Sequence, residues 1–148
     1  MSVLAQSLAS RGPVRLALLS RTVPDPHLTL QQIRELDRDH PTRRRFEAIR
    51  ALRKCGAQVM VLAADVADAT AMEVAFERIE DHLGPIRGVF HCAGAIDTQT
   101  FCELTSETPE NAARQFQAKV YGTQVLDQLL QTRAAAFCVL MSSLASQL

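Results

Sequence analysis

Apolar positions along this chain follow two alternating rhythms. Residues 14–19, 59–64, 86–92 and 135–142 are near-continuous apolar runs of strand length. Between them, apolar residues recur every three or four positions, the spacing of a helix with one buried face. A short helix-compatible stretch, residues 3–10, opens the chain and stops at Gly12-Pro13. Pro24, Asp25 and Pro26 force a loop after the first strand. Residues 29–54 are polar and helix-rich, with a break at His40-Pro41. Their second half puts Phe46, Ile49 and Leu52 on one face, and Gly56 is a natural stop. Thr70 and Glu73 predict a capping box for the next helix, whose face is Met72, Phe76, Ile79 and Leu83. Gly84-Pro85 ends it. Thr108 then predicts an N-cap with Pro109 at the first helical position. Phe116, Val120, Leu126 and Leu130 carry that helix on, with Gly122 weakening it locally.

Strands buried on both faces, alternating with amphipathic helices, predict an α/β fold with a parallel sheet covered by helices on both sides. A chain of 148 residues fits one domain. Residues 22–44 read as a surface elaboration.

Composition narrows the picture. Apolar residues make up 47%, which is enough for a core. The formal net charge is zero, so no bulk field attracts nucleic acid or an anionic membrane. Arg43-Arg44-Arg45 reads as a solvated helix face. The four cysteines show no paired C-x-x-C spacing, so neither a zinc site nor a disulfide framework is expected. Cys92 and Cys138 fall in apolar runs and read as small buried hydrophobes. The chain has no membrane-length apolar run and no charged leader, and a cytoplasmic location follows as the expectation.

In parallel α/β sheets, ligands bind outside the carboxyl ends of the strands. Those ends carry Ser20-Arg21, Asp65-Val66, Cys92-Ala93-Gly94 and Ser142-Ser143. Arg21 follows the strand that lies beside an adenosine ribose in such folds. A guanidinium there pairs with a ribose phosphate, and no acidic residue stands ready for a free diol, which favours NADP over NAD; the alternative is a solvated arginine. Asp65 either accepts from an adenine amine or caps its own turn. Ala93-Gly94 lets backbone approach a flat nucleotide, or is an ordinary turn. His91 reads as a buried, hydrogen-bonded histidine rather than a catalytic one. Lys119, at the edge of its helix's apolar stripe, either snorkels to solvent or faces the substrate cleft. Ser143 either bonds a substrate carbonyl or caps the segment after it. It lies in no G-x-S-x-G elbow, which argues against a serine nucleophile.

The stretch GPIRGVFHCAG, the later KVYG, the LLSR at residues 18–21 and the FCVLMSS at residues 137–143 occur in one order along the chain. With these motifs the chain resembles the ketoreductase domain of modular polyketide synthases, within the short-chain dehydrogenase/reductase superfamily. The resemblance implies a Rossmann-type three-layer fold that binds NADP. It places Ser20 and Arg21 at the 2'-phosphate, Asp65 and Val66 at the adenine, and Ala93 and Gly94 at the cofactor ribose. Lys119 matches the family's catalytic lysine, and Ser143 matches the serine that polarises the substrate carbonyl. It further implies NADPH as hydride source, a β-ketoacyl thioester on an acyl carrier protein as substrate, and other synthase domains in cis.

The family's catalytic tyrosine and asparagine lie beyond Ser143. Its glycine-rich loop and first strand precede Met1. Tyr121, beside Lys119 on the same helix, does not replace that tyrosine. The first strand of this fold belongs between the strands at 14–19 and 88–92. The expectation is therefore a partial ketoreductase domain over residues 1–148, a fragment inactive in isolation. A non-catalytic structural reductase-like domain and a partner-dependent protein are the alternatives. The joint presence of Lys119, Ser143 and Ala93-Gly94 disfavours the structural one.

Overall fold

The computed structural model describes residues 2–25, 27–94 and 108–142. The chain divides into two compact units, Met1–Ala63 and Ala64–Leu148.

In the first unit, β1 (Arg15–Ser20) and β2 (Gln58–Ala63) pair in parallel, from Arg15 opposite Gln58 to Ser20 opposite Ala63. Three helices accompany them: α1 (Ser2–Ala9), α2 (Leu30–Glu35) and α3 (Pro41–Lys54). The expected break at His40-Pro41 is the start of α3. Pro41 takes the first turn, where no amide is needed, and the His40 ring accepts from the Thr42 amide at 3.2 Å. The α2 helix opens with a reciprocal capping box between Thr29 and Gln32. After α3, Gly56 adopts φ 83°, a left-handed setting that suits glycine and turns the chain into β2. Leu52 is 1% exposed and packs with Ala5, Ala9 and Ala57, against Val14, Leu16, Leu18 and Val59. Burying that leucine contributes roughly 1.5–3 kcal/mol.

Arg43-Arg44-Arg45 is not simply a solvated face. Arg43 Nη1 donates to the Leu36 and Arg34 carbonyls at 2.8 and 3.1 Å, and Nε pairs with Glu47 at 2.9 Å. The carbonyls at the end of α2 have no helical donors, and Arg43 supplies one. Arg45 donates to Thr22, so Arg44 is the member of the trio that keeps to the solvated role.

In the second unit, β3 (Gly88–His91) and β4 (Phe137–Leu140) pair in parallel, from Gly88 opposite Phe137 to His91 opposite Leu140. Helix α4 (Ala69–Leu83) presents Met72, Ala75, Phe76, Ile79 and Leu83 as its buried face. Its cap is Asp68, whose carboxylate accepts from the Ala71 amide at 3.0 Å, rather than the expected Thr70–Glu73 box. The reason is local. Asp65 Oδ1 accepts from the Ala67 amide and the Asp65 carbonyl from the Asp68 amide, both at 3.0 Å, and this turn delivers Asp68 in the extended setting of a cap. Gly84, at φ 80°, ends α4.

Thr108 caps α5 (Pro109–Phe116), as its sequence predicts. The helix does not continue evenly. Gln117–Tyr121 form a π-helical turn, in which the Gly122 amide donates to the carbonyl of Gln117, and α6 (Gly122–Gln131) follows. The expected stripe fails at this turn: Phe116 and Val120 are 53% and 41% exposed, while Leu126 is 3% exposed. Past the turn, Val125, Leu126 and Leu129 are buried. Arg133, just after α6, pairs with Glu73 at 2.8 Å and Glu80 at 3.1 Å, and its guanidinium lies over the Phe76 ring. It thereby ties the end of α6 to α4.

The Phe137 ring lies against Gly88 and meets Phe90 edge-on at 5.2 Å, so β3 carries glycine where the neighbouring ring needs its space. Cys138, on β4, is exposed and Cys92 is half-buried, contrary to the buried-hydrophobe reading of both. Cys138 shares its exposure with every residue of β4, which among the described residues pairs with β3 alone. The two ladders are separate two-stranded sheets, one in each unit. Among the described residues no helix is long and apolar enough to cross a membrane.

Candidate active site

The sequence-predicted residues fall in both units. Ser20 closes β1 and Arg21 opens the turn after it. Ser20 Oγ donates to the Thr22 carbonyl, and Arg45 Nη1 donates to the same carbonyl at 3.2 Å and to Thr22 Oγ1 at 3.0 Å. The turn is thus held from both sides while Arg21 itself is exposed. An exposed guanidinium, with no carboxylate at residues 20–22, is a donor set that fits a phosphate monoester.

In the second unit, Asp65 and Val66 form the turn before α4. One carboxylate oxygen of Asp65 is already engaged by the Ala67 amide, which is the turn-capping alternative. Val66 packs on the buried Gly122, where a side-chain carbon would lie 2.6 Å from a Val66 methyl. Gly122, which reads in sequence as a weak point of the helix, is the place where the helix meets this turn.

Lys119 stands on the π-helical turn. Its Nζ donates to the Met141 carbonyl at 2.7 Å, and its stem passes Gly94 so closely that a carbon on Gly94 would sit 3.2 Å from Cε. Gly94 therefore provides room for the lysine. Met141 is fixed in turn, because its amide donates to the His91 carbonyl at 3.0 Å. The ammonium consequently lies across the carboxyl ends of β3 and β4, where parallel sheets bind ligands. Ala93 and Gly94 form the half-buried exit from β3. Ser143, the expected carbonyl-polarising serine, lies outside the described residues.

His91 is 5% exposed, and its Nε2 lies 2.9 Å from the Ala118 carbonyl. A carbonyl only accepts, so Nε2 carries the proton. Burial holds the ring's pKa below the ordinary histidine value and the nearby Lys119 charge adds to this, while the Ala118 bond opposes it. The sequence reading of a buried, hydrogen-bonded histidine agrees with this geometry. Nothing in the sequence signals its partner, which depends on the π-helical turn.

A sequence model described as the KR domain matches residues 2–148. The chain is 37% identical over 147 residues to a phenolphthiocerol/phthiocerol polyketide synthase of Mycobacterium tuberculosis, covering 97% of the chain and 7% of that protein. Among solved structures, the ketoreductase from the first module of phoslactomycin biosynthesis in Streptomyces sp. HK803 superposes with a TM-score of 0.76 at 27% identity. That match covers 99% of this chain and 29% of that one. An N-terminal ketoreductase from the macrolactin assembly line gives 0.79 at 23% identity, over 98% and 26% of the respective chains, a likeness of fold. The chain spans 2% to 8% of the length of the curated relatives it matches. A match over nearly the whole chain places it in the ketoreductase (KR) domain family of polyketide synthases, in the short-chain dehydrogenase/reductase superfamily.

Proposed function

We propose that the native polypeptide carrying this chain reduces a β-ketoacyl thioester, presented on an acyl carrier protein, to the β-hydroxyacyl thioester with NADPH. The observation that carries the reading is the Lys119 ammonium, set at the carboxyl ends of β3 and β4 by the Met141 carbonyl and the gap at Gly94. NADPH supplies the hydride, and a proton from the site completes the alcohol. Arg21 binds the 2'-phosphate, with Ser20 and Arg45 holding its turn. Asp65 and Val66 face the adenine, Ala93 and Gly94 the cofactor ribose. Lys119 places positive charge where the carbonyl oxygen gains negative charge, and Ser143 donates to that oxygen.

The test is steady-state NADPH oxidation by the native polypeptide with a small β-ketoacyl thioester. Lys119→Ala is expected to lower kcat by about 100-fold or more, the scale of losing one electrostatic contact to a developing oxyanion. Nucleotide affinity is expected to change little. Unchanged turnover in Lys119→Ala overturns the reading.

A further inference from the structure

The proposed reaction gives His91 no chemical role, yet it is the one buried polar or charged side chain among the described residues. Its contacts close a ring. The His91 carbonyl accepts from the Met141 amide at 3.0 Å, and the Met141 carbonyl accepts from Lys119 Nζ at 2.7 Å. Lys119 is bonded to Ala118, whose carbonyl accepts from His91 Nε2 at 2.9 Å. One residue thus sets both the point that the lysine tip reaches and the backbone from which it starts.

The π-helical turn makes this possible. A ladder that widens to five-residue spacing turns carbonyls toward side chains that a regular helix would not offer them. Ala118 finds His91 in this way. A buried donor has no water to fall back on, so the Nε2 bond is strongly favoured in the folded state. Lysine, by contrast, has a flexible four-carbon stem and settles in one place only if its root is fixed.

We infer that His91 is a positioning residue for Lys119: its Nε2–H bond to the Ala118 carbonyl sets the π-helical turn so that the lysine ammonium reaches the Met141 carbonyl. The inference rests on the reductase reading for its effect on turnover, but not for its effect on the lysine.

The experiment compares His91→Gln, His91→Asn and His91→Phe in the native polypeptide. Glutamine places an amide N–H near the position of Nε2, asparagine falls short, and phenylalanine fills the space without a donor. Two readouts are taken. The first is a pulse of acetic anhydride, with acetylation of Lys119 measured by peptide mass spectrometry against Lys54, this chain's other lysine. The second is kcat and KM for the β-ketothioester. In His91→Asn and His91→Phe, Lys119 is expected to label at least about three-fold faster than in wild type, with kcat down about ten-fold or more and KM nearly unchanged, the pattern of a misplaced catalytic group. His91→Gln is expected to stay close to wild type in both. If His91→Phe loses the cooperative thermal transition of wild type, that variant has unfolded and the Gln–Asn pair decides. Unchanged Lys119 labelling in folded Asn and Phe variants overturns the inference, as does a folded Gln variant that labels like Phe. A wild type that reduces no ketone but shows the labelling pattern keeps the positioning role and overturns the reductase reading. Normal turnover with flat labelling does the reverse.

Discussion

Arg21 shows how a single residue's role depends on what holds its neighbours. Its guanidinium is exposed, but the turn that carries it is pinned where Ser20 and Arg45 both donate to Thr22. A held turn leaves only the arginine side chain itself to be ordered by a bound phosphate. Arg21→Ala is therefore expected to weaken NADPH binding by about 1.5–3 kcal/mol, the worth of a charged hydrogen bond. NADH, which lacks the 2'-phosphate, is expected to bind much as before. Fluorescence titration of both nucleotides checks this, and an equal loss for the two would reassign Arg21 to a structural role. The cation itself is legible in sequence, since an arginine at a strand end is visible in one dimension. Arg45 is not, because its partner lies 23 residues away and only folding brings them together.

At the scale of elements, sequence rhythm locates the helices and strands but not their irregular parts. Met72, Phe76, Ile79 and Leu83 read as one face, and all four are buried. The stripe through Phe116, Val120, Leu126 and Leu130 assumes an unbroken α period, and the π-helical turn breaks it. Asp68 displaces Thr70 as the cap because the preceding Asp65 turn, invisible to a periodicity argument, presents Asp68 first. Gly122 illustrates the same limit, since a contact across elements explains it. Gly122→Ala is expected to cost about 1–3 kcal/mol through overpacking against Val66. The loss should show as faster hydrogen exchange through α6. Val66→Ala in the same chain is expected to recover most of it, because the two sites are in direct contact. Purely additive losses in the double variant would show that the contact is not the cause.

For the molecule as a whole, alternating apolar runs and amphipathic helices predict parallel α/β structure, and both ladders are parallel. Which strands pair is not legible, because apolar runs buried on both faces carry no partner label. Ser143 can be named from sequence as a candidate, yet it lies outside the described residues. The relatives' lengths bear on the native context. We expect intact-protein mass spectrometry on source cells, following peptides from residues 57–94, to find a polypeptide many times longer than 148 residues. A native species of 148 residues would instead favour a partner-dependent protein. The π-helical turn also has a consequence for how this chain tolerates change in length. A widened turn holds one residue more than a regular helix needs for the same path. Removing one residue from Gln117–Tyr121 would close the ladder to regular α spacing while the turns on either side keep their faces. Val125, Leu126 and Leu129 would stay in the core, and the carbonyl that His91 meets would be drawn back into the ladder. The extra residue is thus spare for packing, and what it changes is the backbone beneath Lys119.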